Sequence, residues 1–228
     1  MSESDHPRAI RSFVTRSGRI TSAQERALQQ LWPRYGVELG AAPLDLEALF
    51  GRRARRVAEI GFGNGENLLS LATSRPAEDF IGIEVHRPGV GRLLLQLEER
   101  ALGNVRVACH DAVEVLERYL GGSSLDEILI LFPDPWPKKR HHKRRLIQPS
   151  FVALLAECLR KGGALRLATD WEPYATEMLT TLSAEPRLRN VAAAGGFVPR
   201  PAERSPTRFE RRGERLGHRV WDLEFSRA

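Results

Sequence analysis

The stretch Val57-Ala58-Glu59-Ile60-Gly61-Phe62-Gly63-Asn64-Gly65-Glu66 decides the fold. A short apolar strand, Val57 to Ile60, runs straight into a turn built on three glycines, and a helix begins at Glu66. Working outward, the same alternation recurs. Further strands are predicted at Phe80 to Glu84, Val105 to Cys109, Glu127 to Leu131 and Ala164 to Ala168, with helices starting near Gly89, Ala112, Pro149 and Trp171. In the Pro149 helix, Phe151, Leu154, Leu155, Cys158 and Leu159 fall on one face, and Gly162-Gly163 is expected to stop it. Arg219 to Phe225 reads as one more strand. Strands and helices alternating at this spacing form an α/β, doubly wound and mostly parallel sheet, in which ligands bind at the carboxyl ends of the strands.

The chain has 228 residues, 42% of them hydrophobic, which suits one α/β core and not two. Residues 1–55 read as a basic extension with one helix, and residues 56–228 as the domain. That helix is predicted to begin at Ser22, with Glu25 as its capping-box partner, and to run to about Trp32 before Pro33. No run approaches the roughly 18 apolar residues of a membrane helix, and Met1 to Arg19 has no signal-peptide apolar segment. A cytoplasmic protein without membrane association is expected. The net charge of +6 favours a polyanionic partner. Lys138, Lys139, Lys143 and Lys161 are the only lysines. Arginine suits bidentate phosphate contacts, although a GC-rich genome produces the same bias. Cys109 and Cys158 read as reduced, buried thiols, with no disulfide framework and no metal site.

The glycine turn departs from the dinucleotide fingerprint G-x-G-x-x-G, because its third glycine comes one residue early. Glu59, two residues before Gly61, would repel a pyrophosphate but can meet the ammonium of a methionine moiety. This combination resembles the first motif of Rossmann-like methyltransferases, which use S-adenosylmethionine, and makes Gly61, Gly63 and Gly65 cofactor-site candidates. Glu84, about twenty residues on, stands where a carboxylate accepts both ribose hydroxyls. Asp111 has two readings, an acceptor for the adenine amino group or the N-cap of the next helix. His86 and His110 flank these acids and are given no role.

After the fourth strand comes Leu131-Phe132-Pro133-Asp134-Pro135-Trp136-Pro137, whose three prolines stiffen the loop and exclude helix. Lys138 to Arg145 follows, six Lys or Arg and two His in eight residues. A charge run is usually a solvated face. Joined to a rigid loop with an acid and an aromatic at a strand end, this one reads as RNA-binding.

The Pro-Asp-Pro-Trp-Pro-Lys block and its basic tail resemble the bacterial tRNA (guanine-N7)-methyltransferase family. So do Glu59 to Gly63, Gly82 to His86, Ala168 to Tyr174, Thr207 to Glu210, and the N-terminal Arg11 to Val14 with Gly18-Arg19. These motifs follow family order over nearly the whole chain. Pro137 and the make-up of the basic run are where such families are expected to vary. The resemblance implies a seven-stranded Rossmann-like sheet with an antiparallel last strand. It implies S-adenosylmethionine bound by Glu59, Glu84, Asp111 and Asp134, with Asp134 also catalytic. Lys138, Asp170 and Thr207, Arg208, Phe209 and Glu210 would hold the target nucleoside. Arg140, His141, His142, Lys143, Arg144 and Arg145 would contact tRNA. The family substrate is the variable-loop guanine, position 46 in tRNA numbering. No obligate protein partner is evident, which leaves a monomer or a homodimer.

Two roles stay open on the residues alone. Asp170 reads as a guanine acceptor or as the N-cap of the Trp171 helix, and Trp136 as a base-stacking ring or a packed one. The nearest alternative function is an adenine amino-group methyltransferase, which uses an Asp-Pro-Pro-aromatic loop, whereas the order here is Asp-Pro-Trp. A nicotinamide-dependent oxidoreductase is opposed by Glu59 and the early third glycine. A non-catalytic tRNA-binding module is opposed by acids at all four strand ends.

Overall fold

A computed structural model describes residues 19–202, 204, 210 and 219–228. Seven strands form one sheet: β1 (Arg56–Ile60), β2 (Asp79–Ile83), β3 (Val105–Ala108), β4 (Leu125–Leu131), β5 (Leu159–Thr169), β6 (Leu188–Asn190) and β7 (Trp221–Arg227). Their order is β3-β2-β1-β4-β5-β7-β6. β1 to β5 pair in parallel, and β7 lies antiparallel between β5 and β6. The chain reverses its direction of travel across the sheet between β1 and β4, and that junction opens the crevice at their carboxyl ends.

Alternation along each strand sorts the core into two layers. Val57, Phe80, Val105, Val107 and Leu129 face α1 (Ser22–Gln30), α4 (Glu66–Ser74) and α5 (Arg87–Glu99). Ala58, Ile81, Ile128, Leu165 and Phe225 point the other way, towards α6 (Ala112–Arg118), α7 (Pro149–Cys158) and α8 (Glu172–Ser183). β1 and β2 are buried along their whole length, as strands covered on both faces must be.

Three details differ from the sequence reading. The α1 cap is Thr21, one residue earlier than expected: its Oγ1 accepts from Gln24 N at 3.2 Å and Gln24 Oε1 accepts from Thr21 N at 2.9 Å. The lead-in holds two more short helices, α2 (Trp32–Tyr35) and α3 (Leu46–Phe50), and is tied to the sheet edge where Val37 N donates to Val107 O at 2.9 Å. α7 stops at Cys158, not at the glycine pair, because Leu159 already pairs with Leu125. Gly162, at φ +76°, instead lies where the β4–β5 register shifts.

Candidate active site and RNA-facing loop

The acids picked out in the sequence lie along the carboxyl edge of the sheet. The turn after β1 needs left-handed backbone at Gly61, Gly63 and Gly65 (φ +72°, +58° and +78°). At Gly65, a Cβ would stand 2.6 Å from Leu93 Cδ1 of α5, so a side chain there would have to displace Leu93 as well as hold left-handed backbone. Glu84, just past β2, is clamped by three backbone donors: Gly63 N at 2.9 Å on one oxygen, Val85 N at 2.7 Å and His86 N at 2.9 Å on the other. This clamp holds the glycine turn and the second acid as one unit.

Glu59 is only 2% exposed. Burial pushes its carboxyl up to about 7, an effect opposed by a 2.9 Å hydrogen bond from Asn67 Nδ2 and reinforced by the nearby Glu84. The folded protein therefore keeps a proton here that the unfolded chain loses near the ordinary value of 4.5. The folded state then binds more protons than the unfolded one, so Glu59's contribution is most favourable below that value and is lost as pH rises through about 7. Glu59→Gln is expected to gain stability relative to the parent protein between about pH 5 and 7.5 and to level off above. Paired thermal melts across that range check the sign.

Asp111 caps α6, its Oδ1 accepting from Val113 N at 2.9 Å. Half-buried Asp170 follows β5, but the α8 cap is Trp171, whose N donates to Thr169 Oγ1 at 3.2 Å. The N-cap position considered for Asp170 is thus occupied by its neighbour, which makes no side-chain capping bond. Leu131 pairs with Ala168, which places Asp134 and Asp170 just beyond adjacent strand ends.

Asp134 is exposed and makes no hydrogen bond to a described residue. It sits between Phe132 (φ +53°) and Trp136 (φ +44°), two non-glycine residues in left-handed backbone. Such conformations cost of order 1–3 kcal/mol each and persist only where the surroundings impose them. The fastening is visible. Phe132 N donates to Ala168 O at 2.8 Å, and Arg145 Nε donates to Pro135 O at 2.9 Å.

Arg145 corrects the sequence reading. It is 2% exposed, its guanidinium pairs with Glu177 and lies 4.8 Å from the Tyr174 ring centroid, and so it braces the loop against α8 instead of facing RNA. The rest of the run forms a 3-10 turn, Lys139–Arg144. Lys138, Lys139, Arg140 and Lys143 are exposed, and His141, His142 and Arg144 half-buried. Burial, then the surrounding cations, push the His141 imidazole down. Trp136 has Arg144 at 5.2 Å over its ring and His141 edge-on at 5.8 Å, so it is packed within the turn.

Thr207, Arg208 and Phe209 lie outside the described residues. Glu210 is 1% exposed and bonded to Arg204 at 2.6 and 2.9 Å. Arg204 also bonds Asp222 of β7 at 3.0 and 3.1 Å and packs over the Phe132 ring at 5.7 Å. Burial raises the Asp222 carboxyl and Arg204 pulls it back. Sequence reading missed this network. Asp222 alternates with Glu224 along β7, so nothing local marked it as the buried acid.

A seven-stranded sheet with this order, a glycine turn after β1 and acids at successive strand ends defines a Rossmann-like methyltransferase. Comparison with known proteins agrees. Residues 53–223 match the family model described as "Putative methyltransferase". The fold resembles that of the 16S rRNA methyltransferase KamB (TM-score 0.59, 16% identity, 86% of this chain and 99% of that one). The chain is 59% identical to the tRNA (guanine-N(7)-)-methyltransferase of Leifsonia xyli subsp. xyli, covering 94% of both chains. It is 57% identical to that of Methylococcus capsulatus, over 98% of this chain and 96% of the other. It belongs to the tRNA (guanine-N(7)-)-methyltransferase family, whose methyl donor is S-adenosylmethionine.

The residues present fit that donor. The clamped Glu84 offers a preset acceptor, and the glycine turn leaves backbone exposed. No helix among the described residues is long and apolar enough to cross a membrane.

Proposed function

We propose that this chain methylates N7 of the variable-loop guanine of tRNA, position 46, in the cytoplasm. The observation that carries this reading is the junction after β4. There an exposed carboxylate stands in imposed backbone, beside a second acid at the end of β5, and leads directly into a turn of exposed cations.

Guanine N7 carries an in-plane lone pair and no proton, so no base is needed to create the nucleophile. S-adenosylmethionine, when bound, supplies a methyl group already activated by its sulfonium. What the protein residues supply is alignment. Glu59, Glu84 and Asp111 hold the donor, and Asp134 orients the base and offsets the positive charge that grows on the purine. Asp170 accepts from guanine N1–H and its exocyclic amine. Lys138 and the stretch Thr207 to Glu210 complete the nucleoside site, with Glu210 acting through its hold on Arg204. Arg140, His141, His142, Lys143 and Arg144 meet the tRNA backbone.

Incubation with bulk tRNA and methyl-labelled S-adenosylmethionine, followed by nucleoside analysis, tests the assignment. Label in 7-methylguanosine is expected, and label in a methyladenosine would overturn it. Neutralising Lys139, Arg140 and Lys143 together should weaken tRNA binding and flatten its dependence on log salt, by up to about 0.7–0.9 for each phosphate no longer neutralised. Titrations at several salt concentrations check this. An unchanged slope would return the turn to an ordinary solvated surface.

A further inference from the structure

Pro133, Pro135 and Pro137 have no N–H, so the loop that carries Asp134 is gripped largely through its carbonyl groups. A grip of that kind needs a donor from elsewhere. Arg145 supplies one: its Nε donates at 2.9 Å to the carbonyl of Pro135, the residue directly after Asp134. The same guanidinium pairs through Nη1 with Glu177 of α8 and lies 4.8 Å from the Tyr174 ring centroid. Its remaining nitrogen, Nη2, is buried without a hydrogen-bond partner. With 2% of the residue exposed, no edge of the guanidinium is left for a phosphate. One planar fork thus joins the Asp134 loop to α8, a task that suits its fixed donor geometry. The basic turn has a separate anchor. Tyr174 Oη accepts from Ile147 N at 3.2 Å and Arg145 N donates to His142 O at 2.9 Å, bonds in which the guanidinium has no part. Removing the Arg145 side chain therefore frees the Pro135 carbonyl while the cationic turn keeps its backbone hold.

We propose that Arg145 and Glu177 are a positioning pair for methyl transfer: Glu177 fixes the Arg145 guanidinium, which holds the Pro135 carbonyl and so sets where Asp134 presents its carboxylate. This role rests on Asp134 orienting the guanine. It takes the last cation of the basic run out of RNA binding, assigns it to the chemical step, and brings in a residue of α8 that lies at no strand end. A buried pair acting in this way changes the rate and not the grip on tRNA. Misplacing a catalytic group by about 1 Å is enough to cost about 100-fold.

The test is a double-mutant cycle on the parent, Arg145→Met, Asp134→Ala and the double variant. Single-turnover methyl transfer, tRNA affinity and the salt slope of that affinity are measured for each. Arg145→Met keeps much of the stem volume and removes the fork. Its rate at saturating tRNA and cofactor should fall about 100-fold. Its tRNA affinity should stay within about twofold of the parent, with the salt slope unchanged, since no phosphate contact is lost. In the Asp134→Ala background the same substitution should slow transfer by no more than about threefold, because residues that act as one unit are not additive. If Arg145→Met does not fold, Glu177→Ala enters the same cycle, its side chain being 34% exposed. It should slow the parent about tenfold or more, as for a lost hydrogen bond to a charged group, and slow Asp134→Ala little. A parent-like rate in Arg145→Met, losses that multiply in the double variant, or weaker tRNA binding with a flatter salt slope would each overturn the pair's role and leave that of Asp134 intact. A parent-like rate in Asp134→Ala alone would overturn the orienting role of Asp134, and the positioning pair with it.

Discussion

Asp134→Ala is expected to slow single-turnover methyl transfer on the order of 10²–10³-fold, with tRNA and cofactor binding largely retained. The loss belongs to orientation. Asp134 projects from a loop held by Phe132 N to Ala168 O and by Arg145 to Pro135 O, and flanked by two left-handed residues. Asp134→Asn keeps one acceptor oxygen and most of the shape, so its rate should lie clearly above that of the alanine variant. N7 presents no proton for removal during attack, so the parent rate should not follow a carboxylate titration. Rates of all three proteins across pH separate the possibilities. Equal rates for Asn and Ala, with an acid limb in the parent, would make Asp134 a general base.

Arg204→Ala should cost about 3–5 kcal/mol of folding stability, the range seen when one partner of a buried ion network is removed. Glu210, Asp222 and Arg204 are all at most 5% exposed, so the two carboxylates left behind cannot turn to solvent. One of them must take up a proton, and Asp222, already raised by burial, is the better placed. The deficit should therefore deepen as pH rises. Denaturant titrations at two pH values measure this, and a loss below about 1 kcal/mol would place the network in effective contact with water.

The sheet was readable because its signal is periodic. Val57 to Ile60, Phe80 to Ile83 and Glu127 to Leu131 are apolar runs closed by glycine, acid or proline, and each became a strand. β6 was not readable, since three residues, Leu188–Asn190, have no period, and they pair only because β7 passes alongside. At the site, acids at strand ends could be named from position alone. The inward turn of Arg145 could not: within Lys138 to Arg145 nothing local separates it from its neighbours, and only Glu177 and Tyr174, on another helix, draw it in. Asn67 carried no signal either, because its partner Glu59 lies eight residues back across the glycine turn.

The place of β7 also sets the order in which the molecule can be finished. β5 is complete at Thr169, yet the strand that pairs with it begins at Trp221, and β6 has no other neighbour. During synthesis the flank of β5 therefore emerges with its amide and carbonyl groups open, a template for any extended chain nearby. Ribosomes stalled before Trp221 would display a five-stranded intermediate with one sticky margin. Arg166, within the Ala164 to Thr169 segment that pairs with β7, puts a cation on that margin while it waits, and is tied to Glu224 once β7 arrives.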